Sequence, residues 1–150
     1  MISRDFHHKV ALSLTGCQLV EQELKLYISE ALLLAKKCVG SRMPFNMSGS
    51  DFENSPLERL ITAFSKLCDN PALVRDLNRF KDERNFLSHK AITSCLDFFG
   101  ELIESEIETV LPRLKNIETE ANRLTHAIHE EANKISVQLD FDDALGGRDD

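Results

Sequence analysis

The apolar residues of this chain recur every three or four positions over long stretches, which is the pattern of amphipathic α-helices. The first such stretch predicts one long helix over residues 5–38, and Gly40, just after it, is typical of a helix end. Residues 40–56 are predicted to form a loop. A second helix is predicted to begin with Ser55 as its N-cap and Pro56 in its first position.

Two further helices are predicted in the second half of the chain. The third has Asn70 as its N-cap and runs to about Lys90. The fourth begins near Thr93 or Ser94 and reaches about Leu139. Its apolar residues form a heptad seam, made of Ile107, Val110, Leu114, Ile117, Ala121, Leu124 and Ile128. Together these elements predict an all-α fold, an antiparallel bundle of four to five helices with long first and last helices.

The last predicted helix is long for a chain of this size. A helix over residues 94–139 would measure roughly 65–70 Å, so part of it would project and its seam would pack against a partner chain. Pro112 lies inside this stretch, so either the helix kinks there or two helices meet. Residues 1–139 are predicted to form a single domain, and the acidic residues 140–150 a disordered tail.

Composition narrows the classes of function. The chain has 150 residues and a net charge of −7, which argues against a protein that coats nucleic acid through a broad basic face. An enzyme that contacts RNA through a local basic patch remains compatible with this charge. The four cysteines stand singly, and no signal-peptide pattern or membrane-spanning apolar run is present in the sequence. We therefore expect a cytoplasmic protein with free thiols and no membrane association.

One residue of the third predicted helix does not fit its apolar pattern. Five apolar residues of this helix form a spine along one face and are spaced by four, three, seven and four positions: Leu73, Leu77, Phe80, Leu87 and Ala91. The position missing from the seven-residue gap is Arg84, near the centre of the apolar stripe. An unpaired buried guanidinium is costly, so Arg84 needs either a polar cleft or a salt bridge to an acidic residue of a neighbouring helix.

Two polar residues follow Arg84 on the same helix. Asn85 and His89 are i, i+4 neighbours that can hydrogen-bond, and His89 is a candidate proton-transfer group. Four cations, which could guide an RNA backbone, flank this segment: Arg75, Arg79, Lys81 and Lys90. Nearby acidic residues offset much of that charge, so a solvated helix surface explains these four cations equally well.

The stretch Glu83-Arg84-Asn85-Phe86-Leu87-Ser88-His89 resembles the motif of ribonucleases of the HEPN (higher eukaryotes and prokaryotes nucleotide-binding) superfamily. That motif is Arg, usually a polar residue, and a His after four to six intervening residues. The predicted order of helices resembles that of the same superfamily. A second pair, Arg123 and His129, has a suitable spacing, but it lies on the heptad helix and has Leu124 in the polar position.

The resemblance implies a metal-independent endoribonuclease that needs no cofactor and acts as a homodimer, with both motif copies lining one cleft. His89 would act as general base or acid, Arg84 would stabilise the phosphate, and Asn85 would orient His89 or the phosphate. The products would be a 2′,3′-cyclic phosphate or 3′-phosphate and a 5′-hydroxyl end.

The setting that the resemblance implies is a toxin–antitoxin, phage-defence or RNA-processing system, with RNA as substrate and an antitoxin or other protein as partner. The alternative is a non-catalytic helical dimerisation or interaction module of the same fold. In that case the heptad seam is the working surface and Arg84 is a structural ion.

Overall fold

A computed structural model describes residues 2–146 of the chain. This part of the chain contains four α-helices, which are α1 (Ile2–Val39), α2 (Leu57–Leu67), α3 (Pro71–His89) and α4 (Glu104–Gly146). Short 3-10 turns occur at Gly49–Phe52 and Thr93–Cys95. The predicted all-α bundle with long first and last helices is thus confirmed.

The three long helices alternate in direction. Contacts between α1 and α4 join residues 106 positions apart, which shows that the two helices run parallel: Glu23–His129, Glu30–Ser136 and Lys37–Asp143. By contrast, α3 is antiparallel to α4, since Asn70 contacts Glu131 and Glu83 contacts Arg113. The expected antiparallel arrangement is therefore wrong for α1 and α4. The reason is that α2, with 11 residues, is too short to return along the bundle.

The heptad seam of α4 lies in the core of the single chain. Its residues from Ile107 to Ile128 are at most 8% exposed and belong to one cluster with the buried residues of α1 and α3. The expectation that the seam projects and meets a partner chain is wrong. Because α1 has 38 residues and α4 has 43, the first helix covers the seam along most of its length.

The starts of α2 and α3 differ in how well the sequence predicts them. The Asn70 side chain accepts a hydrogen bond from the backbone N–H of Leu73 at 3.2 Å, so its predicted role as N-cap is confirmed. The predicted N-cap of α2 is wrong. Pro56, in an extended conformation, holds the cap position, and the buried Ser55 hydroxyl has no hydrogen-bond partner among the described residues.

The last helix begins later and ends later than predicted. It starts at Glu104, because a 3-10 turn and a tight loop occupy residues 93–103. It runs unbroken through Pro112, which lies on an exposed face where water can hydrate the carbonyl that loses its helical partner. Residues 140–146, expected in the disordered tail, continue α4 beside the end of α1, while residues 147–150 of that tail lie outside the described part.

Candidate active site

The second half of α3 presents the motif residues on two sides of the helix. Arg84 and His89 lie about 140° apart around the helix axis. Arg84 faces α1, whereas Asn85 and His89 are exposed and line a groove of about 410 Å³. We call it the His89 groove, and its lining residues are Asp82, Asn85, Phe86, His89, Lys90 and Arg113.

Arg84 forms a salt bridge with Glu21 of α1. The Nε atom of Arg84 is 3.3 Å from Oε1 of Glu21, and the two side chains are 36% and 18% exposed. The salt bridge to a neighbouring helix, which the sequence left open as one explanation of Arg84, is therefore present. The separation is longer than the 2.7–2.9 Å of a charge-assisted hydrogen bond. The guanidinium thus lies at the edge of the core and remains accessible to solvent.

A buried thiol lies close to this salt bridge. Burial raises the pKa of Cys17 to about 11, while the charge of Arg84 lowers it and that of Glu21 raises it. A thiol with so high a pKa is protonated at neutral pH and is a poor nucleophile.

The backbone at the end of α3 fixes the position from which His89 projects. The N–H of Lys90 donates to the carbonyl of Phe86 at 2.8 Å, and the hydroxyl of Thr93 donates to the carbonyl of His89 at 3.2 Å. These bonds satisfy two carbonyls of the last turn. The imidazole therefore extends from an ordered helix end into a solvent-accessible groove.

Arg113 of α4, which no pattern in the sequence singles out, supplies the guanidinium of the His89 groove. Its Nε and Nη2 atoms each donate to the Glu83 carboxylate at 2.9 Å, which raises the pKa of Arg113. The guanidinium carbon lies 3.5 Å from the centre of the Phe86 ring. Arg113 is thus held in place beside Asn85 and His89 by contacts between two helices.

The four flanking cations do not form one surface. Lys90 lines the His89 groove, whereas Arg79 lines an adjacent groove of about 540 Å³ between α3 and α4. Arg113 borders both grooves. Arg75 is exposed and Lys81 half-buried, outside both grooves. Of the predicted RNA-binding residues, Lys90 therefore has the position most suited to a phosphate next to His89.

The second Arg–His pair of the sequence has structural partners. Arg123 donates to Asp76 at 2.8 Å and to Glu120, and these hydrogen bonds raise its pKa. The Nδ1 atom of His129 lies 3.4 Å from Glu23 of α1. Both residues thus contribute to contacts that join α4 to its neighbours.

Within residues 2–146, no cluster of three or more His, Cys, Asp or Glu side chains is placed to bind a metal ion. In the same residues, no helix has the length and apolar character needed to cross a membrane. The chain matches no protein-family model, and it has no significant match among curated proteins or solved structures. The resemblance to HEPN ribonucleases therefore rests on the motif of α3 and on the layout of the helices.

Proposed function

We propose that this protein is a metal-independent endoribonuclease of the HEPN type that acts as a homodimer. The observation that supports this most is the His89 groove, where an exposed imidazole lies together with an amide and two cationic side chains. RNA carries its own nucleophile, the ribose 2′-hydroxyl. A proton-transfer group and a cationic phosphate-binding site therefore suffice for cleavage.

In the proposed reaction, His89 accepts the proton of the 2′-hydroxyl as the 2′-oxygen attacks the neighbouring phosphorus. The bond from phosphorus to the 5′-oxygen breaks, and the leaving oxygen takes a proton from an imidazolium, that of the second protomer or that of His89 itself. The products are a 2′,3′-cyclic phosphate and a 5′-hydroxyl. Lys90 and Arg113 offset the negative charge that builds on the phosphate.

Arg84 has a different role, because it does not line the His89 groove of its own chain. Its partial exposure and its long contact with Glu21 leave the guanidinium accessible to a phosphate from the side of α1. In the proposed dimer, Arg84 binds the RNA backbone near the scissile phosphate, and Arg113 is the arginine closest to His89. The roles of the two arginines are thus separable by mutation.

The setting we propose is a cytoplasmic toxin–antitoxin, phage-defence or RNA-processing system, in which an antitoxin or another protein restrains the nuclease. Inhibition by a partner is consistent with the open groove, since no segment among the described residues covers it. A nuclease with an open site needs an inhibitor or a selective substrate to spare cellular RNA.

The test is incubation of purified protein with total RNA in EDTA, followed by mapping of the cut ends. Wild-type protein should leave 5′-hydroxyl ends, and His89→Ala should abolish cutting. His126→Ala is the matched control, because His126 is also an exposed helical histidine but lies outside the His89 groove. Cutting by His89→Ala at the wild-type rate would overturn the proposal.

A non-catalytic interaction module is the second candidate function, and the salt bridge between Arg84 and Glu21 favours it. That contact gives Arg84 a structural role without any substrate. The working surface of such a module cannot be the heptad seam, which is buried in the chain. Absence of cleavage by the wild-type protein, together with self-association, would favour this second function.

A further inference from the structure

The segment between α3 and α4 forms a tight, ordered loop, residues 96–103, which we call the Phe loop. Leu96 and Leu102 form an antiparallel bridge across it. The Asp97 carboxylate accepts hydrogen bonds from the backbone N–H groups of Phe99 at 2.8 Å and of Glu101 at 2.9 Å. Gly100, at φ 80°, supplies the left-handed conformation that the turn requires.

This rigid turn presents two phenylalanines to solvent. Phe98 is 98% exposed and Phe99 is 87% exposed, and their rings lie edge to face with centroids 5.8 Å apart. Phenylalanine is among the residues most often buried, and exposed apolar patches mark binding surfaces. Because the turn is already ordered, little conformational entropy is lost when a partner covers the rings.

The Phe loop lies at the same end of the bundle as the His89 groove. The backbone N–H of Ser94 donates to the carbonyl of Lys90, and that of Ile103 donates to the carbonyl of Cys95 at 2.7 Å. The first bond lies in the turn that follows α3 and the second closes the base of the loop, so only residues 90–95 separate the end of α3 from the Phe loop. Any molecule that covers the phenylalanines therefore comes close to the groove.

The charge around the Phe loop indicates what covers it. Two exposed acidic residues, Asp97 and Glu101, belong to the Phe loop, and two more, Glu104 and Glu106, lie in the first turn of α4 that follows it. They repel the phosphates of RNA, which argues against base stacking on the phenylalanines. The His89 groove of the same molecule is lined by two exposed cations, Lys90 and Arg113, of which Arg113 is paired with Glu83, and by one further carboxylate, Asp82. A second copy of this chain thus offers the complementary charge.

We propose that the Phe loop of each protomer packs on the end of α3 of a second copy, at the rim of its His89 groove. There Phe86 offers a half-buried ring, and Lys90 offers a cation beside Glu101 of the partner. A two-fold axis makes both contacts equivalent, so each loop also walls the other protomer's groove. This inference rests on the dimer of the proposed function and names the segment that forms it.

The first experiment is sedimentation of the purified chain over a range of concentrations. Phe98→Ser/Phe99→Ser should weaken dimerisation at least 100-fold with unchanged helical content. Val137→Ser/Phe141→Ser, which removes two exposed apolar side chains from α4, should leave it unchanged. The inference would be overturned by a monomeric wild type or by a Phe-loop variant that dimerises like wild type. If that variant also loses affinity for RNA, the phenylalanines stack on bases instead.

A charge exchange tests the specific contact. Glu101→Lys and Lys90→Glu should each weaken self-association at least tenfold, because each homodimer then contains two like-charged pairs. An equimolar mixture of the two variants should form a heterodimer at nearly wild-type affinity, since every facing pair again has opposite charges. If the mixture associates no better than the single variants, the proposed contact is wrong.

These measurements separate the inference from the proposed function. A chain that dimerises through the Phe loop but leaves RNA intact supports the inference and contradicts the nuclease. A chain that cuts RNA through His89 but associates without the Phe loop supports the nuclease and contradicts the inference.

Discussion

Replacement of Arg84 separates its structural role from its proposed catalytic role. Two unit charges 3.3 Å apart interact by about 5 kcal/mol at an effective dielectric constant of 20, and by about 1 kcal/mol at that of water. Because the Arg84 side chain is partly exposed, its net coupling to Glu21 should be close to the lower value, about 1 kcal/mol. Arg84→Ala should therefore lower the melting temperature by about 2–4 °C.

The assay is a double-mutant cycle of Arg84→Ala and Glu21→Gln, with urea unfolding and RNA cleavage measured on the same four proteins. If Arg84 binds the RNA backbone near the cut, its loss should slow cleavage by about tenfold, less than the loss of Arg113, whereas Glu21→Gln should leave cleavage nearly unchanged. Arg84→Lys should restore only part of the activity, since lysine lacks the planar fork of donors.

Two results would each contradict these expectations for Arg84. A coupling free energy above about 3 kcal/mol is typical of a buried ion pair and would show that Arg84 is needed for the fold. Unchanged cleavage per folded molecule of Arg84→Ala would in turn show that Arg84 has no part in the reaction.

Three further predictions concern α4 and its packing against α1. Arg113→Ala should slow cleavage about 100-fold. It should lower the free energy of unfolding in urea by about 1 kcal/mol or less, because its exposed salt bridge with Glu83 contributes little stability. Cleavage by Arg113→Ala at the wild-type rate would exclude Arg113 from the site. Gly16→Val should destabilise the chain by about 1–3 kcal/mol in urea unfolding, since a Cβ at Gly16 would lie 2.9 Å from that of Ala121, and an unchanged midpoint would contradict this packing. Burial opposes ionisation of Glu131, but hydrogen bonds, first among them that from Lys134, lower its pKa. The stability that Glu131 contributes is thus present above about pH 4.3 and lost as the pH falls through the lowered pKa. Glu131→Gln should therefore destabilise the chain at pH 7 and have little effect near pH 2. Equal effects at both pH values would contradict the lowered pKa.

The number and order of the helices followed from the sequence because burial along one face imposes a period of 3.6 residues, whereas the start of α4 did not, since residues 93–103 form a turn and a loop. The spine of α3 and the seam of α4 are buried as their spacing indicated. The direction of α4 relative to α1 was not predictable in the same way, since the period of an apolar stripe carries no information on whether two helices run parallel. That direction depends on the short length of α2 and on the direction in which the chain continues from α2 into α3.

The candidate site was predictable only in part. Arg84 stood out because it interrupts an apolar stripe, and Asn85 and His89 followed from the motif. Arg113 lies on the surface of another helix, next to a proline, and nothing in its neighbours distinguishes it from other arginines. Only the tertiary contacts with Glu83 and Phe86 bring it to the groove.

The exposed position of the two phenylalanines of the Phe loop was not predictable from the spacing of apolar residues either. Phe98 and Phe99 lie within the stretch predicted to form the fourth helix, and most phenylalanines are buried. The hydrogen bonds that Asp97 accepts and the left-handed Gly100 keep Phe98 and Phe99 outside instead. Such an arrangement depends on the geometry of the turn, which apolar spacing does not encode.

The most direct test of the central claim uses a short RNA in EDTA, with one 2′-deoxynucleotide on the 5′ side of a bond that the wild-type protein cuts. If the 2′-hydroxyl is the nucleophile and His89 moves its proton, that cut should disappear while cuts at neighbouring positions remain, and His89→Ala should make none of them. Cutting at the deoxy position, or by His89→Ala at the wild-type rate, would contradict the proposed function.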